Sequence, residues 1–413
     1  MRVMDKFKLL HPFKVSRSFS ALWSGQFLSG FGDQVFSVIL PMVVYSLTGS
    51  VLAMSLLVTL KTVPQIILQP FTGVLVDRLP RVSMMLISDS MRLILLVLLG
   101  ILGLLHHLSI FVLDVTVFVY GVMSVLFRPA YMALRKQIFT PEIRNPAISL
   151  TQIGSQVTSS VGPSVGGLIM TFASSAIGFV FDAVTFAFSI GSLVFIRSTD
   201  LNLKTNPKKS KQNTFTRDLI AGYRETVRHP WVWVGILSWT FIIISYSGII
   251  PILLPWLIKI HFKYPDYTYG LLVSMSGVGA ILAGIVAGSV RTWRHRGIIA
   301  YGAVAIEGLA LFVMSFMHWL PGLMLMMALS AAGSMLFGII HEGILQELIP
   351  DEFFGRVISL EVFSAAIAQP IGYLLTGLLF RSIGGILTMS AEAATMFLVV
   401  IVTLCLPSIR NFQ

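Results

Sequence analysis

The chain has 413 residues, of which 55% are hydrophobic and only 11% charged, with a mean hydropathy of +0.86. A soluble domain carries about 25% charged residues, so a water-soluble globule of this size is excluded and the chain expects lipid. One cysteine, Cys405, excludes a disulfide framework and a cysteine-built metal site, and the net charge of +11 has to be traced along the chain before nucleic acid is considered.

Residues 1–18 contain Arg2, Lys6, Lys8, Lys14 and Arg17 but no apolar run long enough for a cleavable signal. They read as a basic cytoplasmic tail. About 20 mostly apolar residues are needed to cross a bilayer as a helix. That ruler marks spans near 19–47, 51–76, 84–105, 110–134, 146–172 and 176–196, then 231–258, 268–290, 297–317, 320–345, 356–380 and 383–406. An all-α membrane protein of twelve transmembrane helices is expected. The domains are a bundle over 19–196, a basic linker over 197–230, a second bundle over 231–406 and a tail over 407–413.

Charges inside spans cost about 2.5–3.5 kcal/mol each on insertion scales, so each is a functional candidate by default. Span 1 places Asp33 about fourteen residues deep, roughly 21 Å at 1.5 Å per residue, and Lys61 of span 2 reaches a similar depth. Asp33 is expected to bind a cationic group or take up a proton, or else to form a purely structural pair with Lys61. Span 2 ends in Gly73-Val-Leu-Val-Asp77-Arg78-Leu-Pro-Arg81, an acid and a basic turn after an apolar run. In span 3, Asp89 and Arg92 stand i, i+3 and can satisfy each other. Span 4 carries Tyr120 and, two turns on, Arg128.

Span 5 holds Gly162-Pro163-Ser164-Val165-Gly166-Gly167, small residues that let helices approach backbone to backbone, with a proline that weakens the local ladder. The linker is polar, contains Asn206-Pro207, and is expected to form a short surface helix over 214–228. Trp239, Phe241 and Tyr246 of span 7, with Phe31, Phe36 and Tyr45 of span 1 and Tyr120 of span 4, are candidates for an aromatic cavity, though core and lipid-facing roles also suit them. Glu307 of span 9 is expected to be structural or to relay protons. Asp182 and Glu392 occupy matching positions in spans 6 and 12, which favours structure. Near the end of span 10, His341-Glu342 is not followed by the second histidine of H-E-x-x-H, so a zinc protease is excluded. No G-x-x-x-x-G-K-[ST] site for ATP occurs, and no other cofactor is implied. Glu361 of span 11 is expected to support the cytoplasmic side.

With the N-terminus inside, the basic residues fall on alternate connections. Only Lys259, Lys263 and Arg381 of the 29 Lys and Arg lie near the opposite face, and Lys61, Arg92 and Arg128 lie within spans. That asymmetry is the positive-inside pattern. It places both termini in the cytoplasm, at the cell membrane, and accounts for the basic charge without nucleic acid.

A shift of 210 residues superposes the chain on itself. Trp23, Gly25 and Pro41 meet Trp233, Gly235 and Pro251; Ile148-Ser149-Leu150 meets Ile358-Ser359-Leu360; Gly162 and Gly167 meet Gly372 and Gly377. Two six-span halves entering from one side form a parallel repeat, the arrangement of transporters with a site between two bundles.

Gly73 to Arg81 resembles the G-x-x-x-D-R-x-x-R loop of the major facilitator superfamily, and the resemblance covers all twelve spans. A weaker copy, Gly284 to Arg291, has Gly288 where Asp77 stands. The resemblance implies the major facilitator fold and a cytoplasmic gate of Gly73, Asp77, Arg78 and Arg81 with Gly355 and Arg356, Asp77 facing the start of helix 11. The G-P-x-x-G-G stretch matches part of a signature of exporting antiporters, with Ser149 and Thr158 where earlier glycines stand. "LWSGQFLSGFGDQVFSVIL", "FRPAYMALRKQIFTPEIRNPAISL" and "LQELIPDEFFGRVISLEVF" look like the macrolide-efflux and enterobactin-exporter branch. Many proton antiporters carry a mid-membrane arginine where Tyr120 stands here, a departure from the usual coupling scheme. The implied function is secondary active, proton- or other ion-driven efflux of a small amphipathic molecule such as a drug, macrolide or siderophore, by a monomer in lipid. Lipid flipping on the same fold is the second reading; a membrane enzyme or receptor would need a catalytic constellation or signalling domain that the sequence lacks.

Overall fold

The computed structural model describes residues 10–78, 80–199, 230–289, 293–349 and 351–407. Side chains are not described for 69–78, 145, 199, 230, 288–289, 346, 348, 351–356 and 358–359. The proposed surface helix of the linker therefore lies outside the described residues.

Among the described residues, a short helix, His11–Val15, is followed by twelve long ones. They are α1 (Arg17–Thr48), α2 (Val51–Arg78), α3 (Arg81–Leu104), α4 (Ile110–Ile138), α5 (Arg144–Phe172) and α6 (Ser175–Thr199). The second series begins with α7, helical over Pro230–Tyr246 and continued through Ile249–Leu253, Leu254–Trp256 and Leu257–His261. It goes on with α8 (Tyr267–Ser289), α9 (Arg296–Met314), α10 (Leu320–Leu348), α11 (Asp351–Ile383) and α12 (Gly385–Cys405). The end of the expected N-terminal tail is folded: Phe13 packs edge-on against Phe19 and Trp23 of α1, with centroids 5.2 and 5.1 Å apart.

Eleven of the twelve are long and apolar enough to cross a bilayer. The exception is α5, whose 29 residues include Thr151, Gln152, Ser155, Gln156, Thr158, Ser159 and Ser160. Several of these hydroxyls turn back on their own helix: Thr151 donates to the Ala147 carbonyl at 2.8 Å and Thr158 to that of Ser155 at 2.9 Å. Hydroxyls bonded this way tolerate a low-dielectric environment. Wider, π-helical turns interrupt α7 at Ile249–Leu253 and Leu257–His261. Pro251 and Pro255 lie in this part of the helix, and neither has an N–H for a regular ladder.

The chain divides into two compact units, Met1–Thr48 with Leu60–Lys209, and Gly49–Thr59 with Ser210–Gln413. Within the first, α1 packs on α5 and α6, and α3 on α4 and α6. Within the second, α7 packs on α11 and α12, and α9 on α10 and α12. The same partners recur at equivalent places, so the internal repeat of the sequence reappears as a repeat of packing.

Helices in lipid gain little from hydrophobic burial against each other and associate through close van der Waals contact and polar bonds. On α3, Ile87, Ile94 and Ile101 are exposed at heptad spacing, while Met85, Ser88, Asp89, Arg92, Leu96 and Leu99 are buried on the other face. The glycines of α5 make the closest approach to α1. A Cβ at Gly166 would stand 3.0 Å from the Val35 carbonyl oxygen and 3.1 Å from the Val38 Cβ; one at Gly162 would stand 2.5 Å from the Gln34 Cβ. Because Val35 presents backbone, it cannot yield by a rotamer change. Gly166→Leu is expected to destabilise the first unit by more than the roughly 1–3 kcal/mol of ordinary overpacking, read as a lowered unfolding temperature in detergent, with Gly191→Leu, where a Cβ meets nothing within 4 Å, close to wild type.

Candidate functional site

The first unit contains a cavity of about 490 Å³, within the range that holds a drug-sized ligand. One face of α1 lines it with Trp23, Gln26, Phe27 and Asp33. From α4 come Arg128, Tyr131 and Arg135, and from α5 Thr151, Gln152, Ser155 and Thr158. The polar stripe that sets α5 apart from the other helices is therefore the cavity's third wall.

Asp33 accepts a hydrogen bond from the Tyr120 hydroxyl. Tyr120 itself is buried, stacked on Phe36 at 5.1 Å and edge-on to Phe186 at 6.2 Å. It does not line the cavity as the sequence suggests, because packing on α1 and α6 covers its ring and it meets the site through its oxygen. Lys61 is not joined to Asp33 by an ion pair among the described residues. Its Nζ lies over the rings of Phe36 and Tyr120, 5.3 and 5.6 Å from the centroids, within electrostatic reach of Asp33, Asp182 and Arg92.

The i, i+3 pair on α3 forms: Arg92 donates to Asp89 Oδ1. It also does more than pair. The guanidinium lies over Phe127 and Phe186, 4.6 and 4.5 Å from the centroids, and 5.8 Å from that of Tyr120. Ser189 of α6 donates to Asp89 Oδ2 at 2.6 Å, and the Gln26 amide donates to Ser189 at 3.0 Å. Hydrogen bonds thus run from the cavity wall at Gln26 through Ser189 and Asp89 to Arg92, whose guanidinium lies 5.8 Å from the ring of Tyr120, which in turn bonds Asp33 at the wall. Asp182 of α6 closes the cluster, its Oδ1 accepting from Thr185 at 3.1 Å. A Cβ on Gly32 would collide with that carboxylate and with the Thr185 hydroxyl. The glycine of the Gly32-Asp33 pair admits the acid of α6 while its neighbour turns to α4. Three carboxyls, Asp33, Asp89 and Asp182, stand with two cations, Lys61 and Arg92, leaving one carboxyl in excess.

The second unit holds smaller polar sets. Glu307 accepts from Ser334 and lies within electrostatic reach of Tyr246. Glu392 accepts from Thr376 at 2.5 Å. Trp239 stacks on Phe337 at 4.7 Å, and Phe337 on His341 at 5.1 Å. His341 Nε2 meets Glu361 Oε1 at 2.8 Å, a pairing between α10 and α11 that the sequence reading did not foresee. Phe31 of α1 is held edge-on to Phe181 at 6.3 Å and is not among the residues lining the cavity.

Of the expected gate, Arg81 donates to the Ala133 carbonyl at 3.4 Å, tying the start of α3 to α4. The side chains of Asp77, Arg78 and Arg356, and the surroundings of Gly73 and Gly355, lie outside the described residues.

The chain is similar to known transport proteins along most of its length. It is 24% identical over 397 residues to the multidrug efflux pump Tap of Mycolicibacterium fortuitum, covering 93% of this chain and 94% of the pump. It is 20% identical over 375 residues to macrolide efflux protein A of Streptococcus pyogenes, covering 89% and 90%. An uncharacterized transporter of Bacillus subtilis (strain 168), YfiS, is 24% identical over 412 residues, covering 95% and 94%. Among solved structures, a bacterial homologue of the iron transporter ferroportin in an inward-facing state matches with a TM-score of 0.73 and 18% identity over 94% of this chain and 99% of that one. A peptide transporter in complex with sulfate matches at 0.72 and 15%, over 96% and 95%. These structures share the fold. The family model of the Major Facilitator Superfamily matches residues 22–360; the chain belongs to that superfamily and is a multi-pass membrane transporter, not an enzyme.

Proposed function

We propose that the protein is a proton-coupled exporter of small amphipathic molecules, working by alternating access in the cell membrane with both termini in the cytoplasm. Two relatives covering nine-tenths of the chain or nearly so carry efflux in their names. The observation that carries the coupling is the cluster of three carboxyls and two cations beside the cavity, with Asp89, Arg92 and Asp182 buried and Asp33 and Lys61 half-buried. A membrane interior retains such charges at a cost, and retains them where they work.

Asp33 is the carboxyl of the cluster that also lines the cavity, so it is the one proton and cargo can both reach. Ionised, it is held by the Tyr120 hydroxyl and by the field of Lys61 and Arg92. Protonated, it leaves those two cations opposite Asp89 and Asp182 alone, in formal balance. Loaded and unloaded states then differ in the charge of a largely buried cluster at its half-buried edge, a local change of the kind that biases a bistable transporter. Asp77 and the residues around it retain their role at the cytoplasmic gate in this proposal. Asp77→Asn is expected to lower initial efflux rates about tenfold, equal to about 1.4 kcal/mol in the barrier, in everted vesicles containing equal amounts of protein.

The reading is tested by uptake of ethidium, erythromycin and 2-naphthoate into everted vesicles from cells expressing the protein, with the proton gradient present and then collapsed by an uncoupler. Uptake above that of control vesicles for at least one compound, lost on collapse, supports it. Uptake that survives collapse, or none above control, overturns it.

A further inference from the structure

The cavity of the first unit carries more positive than negative charge, which bears on what it holds. Asp33 is already engaged by the Tyr120 hydroxyl. Arg128 is exposed, lines the cavity and has no hydrogen bond or ion pair among the described residues. Two turns on along the same face of α4, Arg135 also lines it. Arg135 rests on the rings of Tyr131 and Phe139, 5.4 and 5.0 Å from the centroids, and among the described residues it hydrogen-bonds only to the Met132 sulfur, at 3.6 Å. Among the described residues, neither guanidinium is matched by a carboxylate.

The positive-inside pattern explains basic residues at the end of α4, and Arg135 and Lys136 already satisfy it. It does not explain a second guanidinium, that of Arg128, lining a cavity that a stacked aromatic pair also lines. Trp23 and Phe27 lie face to face on α1 with centroids 5.0 Å apart and planes 10° from parallel. A flat ring laid against them presents its substituent to Arg128 and to the amides and hydroxyls of α5. A guanidinium's fork of N–H donors matches a carboxylate, sulfonate or phosphate in two parallel bonds. A cationic ligand in the same place would meet two unneutralised arginines.

We infer that the cavity selects amphiphiles carrying an acidic group on a flat ring system, the acid held by Arg128 with Arg135 behind it and the ring by Trp23 and Phe27. This rests on the exporter reading and narrows it. Asp33 is then left to the proton and need not neutralise the cargo, so cargo and proton occupy different charges of one cavity.

The test uses three probes sharing one ring: 2-naphthoate, 2-naphthalenemethanol and 2-naphthylmethylamine. Their binding to the full-length protein in nanodiscs is measured by equilibrium dialysis against protein-free nanodiscs. The expected order is naphthoate tightest, by about tenfold or more over the amine. Arg128→Gln lowers naphthoate binding about tenfold and leaves the alcohol within twofold, while Arg128→Lys retains part of the preference. Arg128→Glu turns the preference toward the amine, a gain that misfolding cannot imitate.

Equal binding of acid and amine, tighter binding of the amine, or no measurable naphthoate binding to wild type overturns the inference, as does an Arg128→Glu protein with unchanged preference. Such a result with intact proton-driven uptake of ethidium or erythromycin removes only the charge preference. Loss of all proton-driven uptake removes the exporter reading itself.

Discussion

Asp33→Asn is expected to reduce proton-driven efflux to background, at least about a hundredfold, or about 2.7 kcal/mol in the barrier, while the protein still inserts and folds. The amide is the same size as the carboxylate and can still accept from the Tyr120 hydroxyl, so the packing of α1 on α4 and α6 is retained. What it cannot do is change charge. Lys61 and Arg92 then face a permanently neutral residue, and the cluster is locked in one of its two charge states. Tyr120→Phe is the milder companion: it removes a hydrogen bond to a charged group, worth about 1.5–3 kcal/mol, but leaves the carboxyl in place. Efflux falls about tenfold in that variant and remains sensitive to an uncoupler. Initial rates in everted vesicles, normalised to protein in the membrane, check both.

Arg92→Leu is expected to be the most destabilising single change in the first unit. Asp89 and Arg92 are both buried and paired, and removing one partner of a buried pair leaves an uncompensated charge at a cost of about 3–5 kcal/mol. The loss also uncovers the rings of Phe127 and Phe186 on which the guanidinium rests. Replacing both, as Asp89→Asn with Arg92→Leu, removes the stranded charge and is expected to recover most of the stability. The double-mutant cycle on unfolding temperature in detergent reads the coupling directly. Recovery of folding without recovery of proton-driven efflux would separate the pair's structural share from its place in the charge cluster.

The helical architecture was legible because hydrophobic length is a strong signal in lipid: twelve runs in the sequence became twelve long helices. The repeat was legible from Trp23, Gly25 and Pro41 against their counterparts, since one fixed offset reaches across a half. Asp33 and Lys61 stood out by being charged within apolar runs, but their relation did not. Pairing by depth suggested a direct bond, whereas Asp33 meets Tyr120 and Lys61 sits over aromatic rings, an arrangement that rotation about each helix decides.

Neutral members of the network carried no signal at all. Gln26 and Ser189 are ordinary in sequence, and only the approach of α1, α3 and α6 makes them a bridge to Asp89. The pair on α3 looked self-sufficient at i, i+3 spacing, which hid the stacking of Arg92 on side chains from α4 and α6. His341 and Glu361 belong to different helices, and nothing local announces that they meet. The polarity of α5 was visible but read only through its glycines. Its hydroxyls and amides gain meaning from the cavity they line.

The most direct measurement of the central claim, that a titrating Asp33 couples cargo to protons, is cargo-driven proton movement in proteoliposomes. Purified protein is reconstituted with a pH-sensitive dye inside, no imposed gradient, and an outward or inward gradient of ethidium, erythromycin or 2-naphthoate. The account predicts proton flux opposite to the moving cargo in the wild type and none above empty liposomes in Asp33→Asn. Cargo movement without proton flux in the wild type, or undiminished flux in Asp33→Asn, would contradict it.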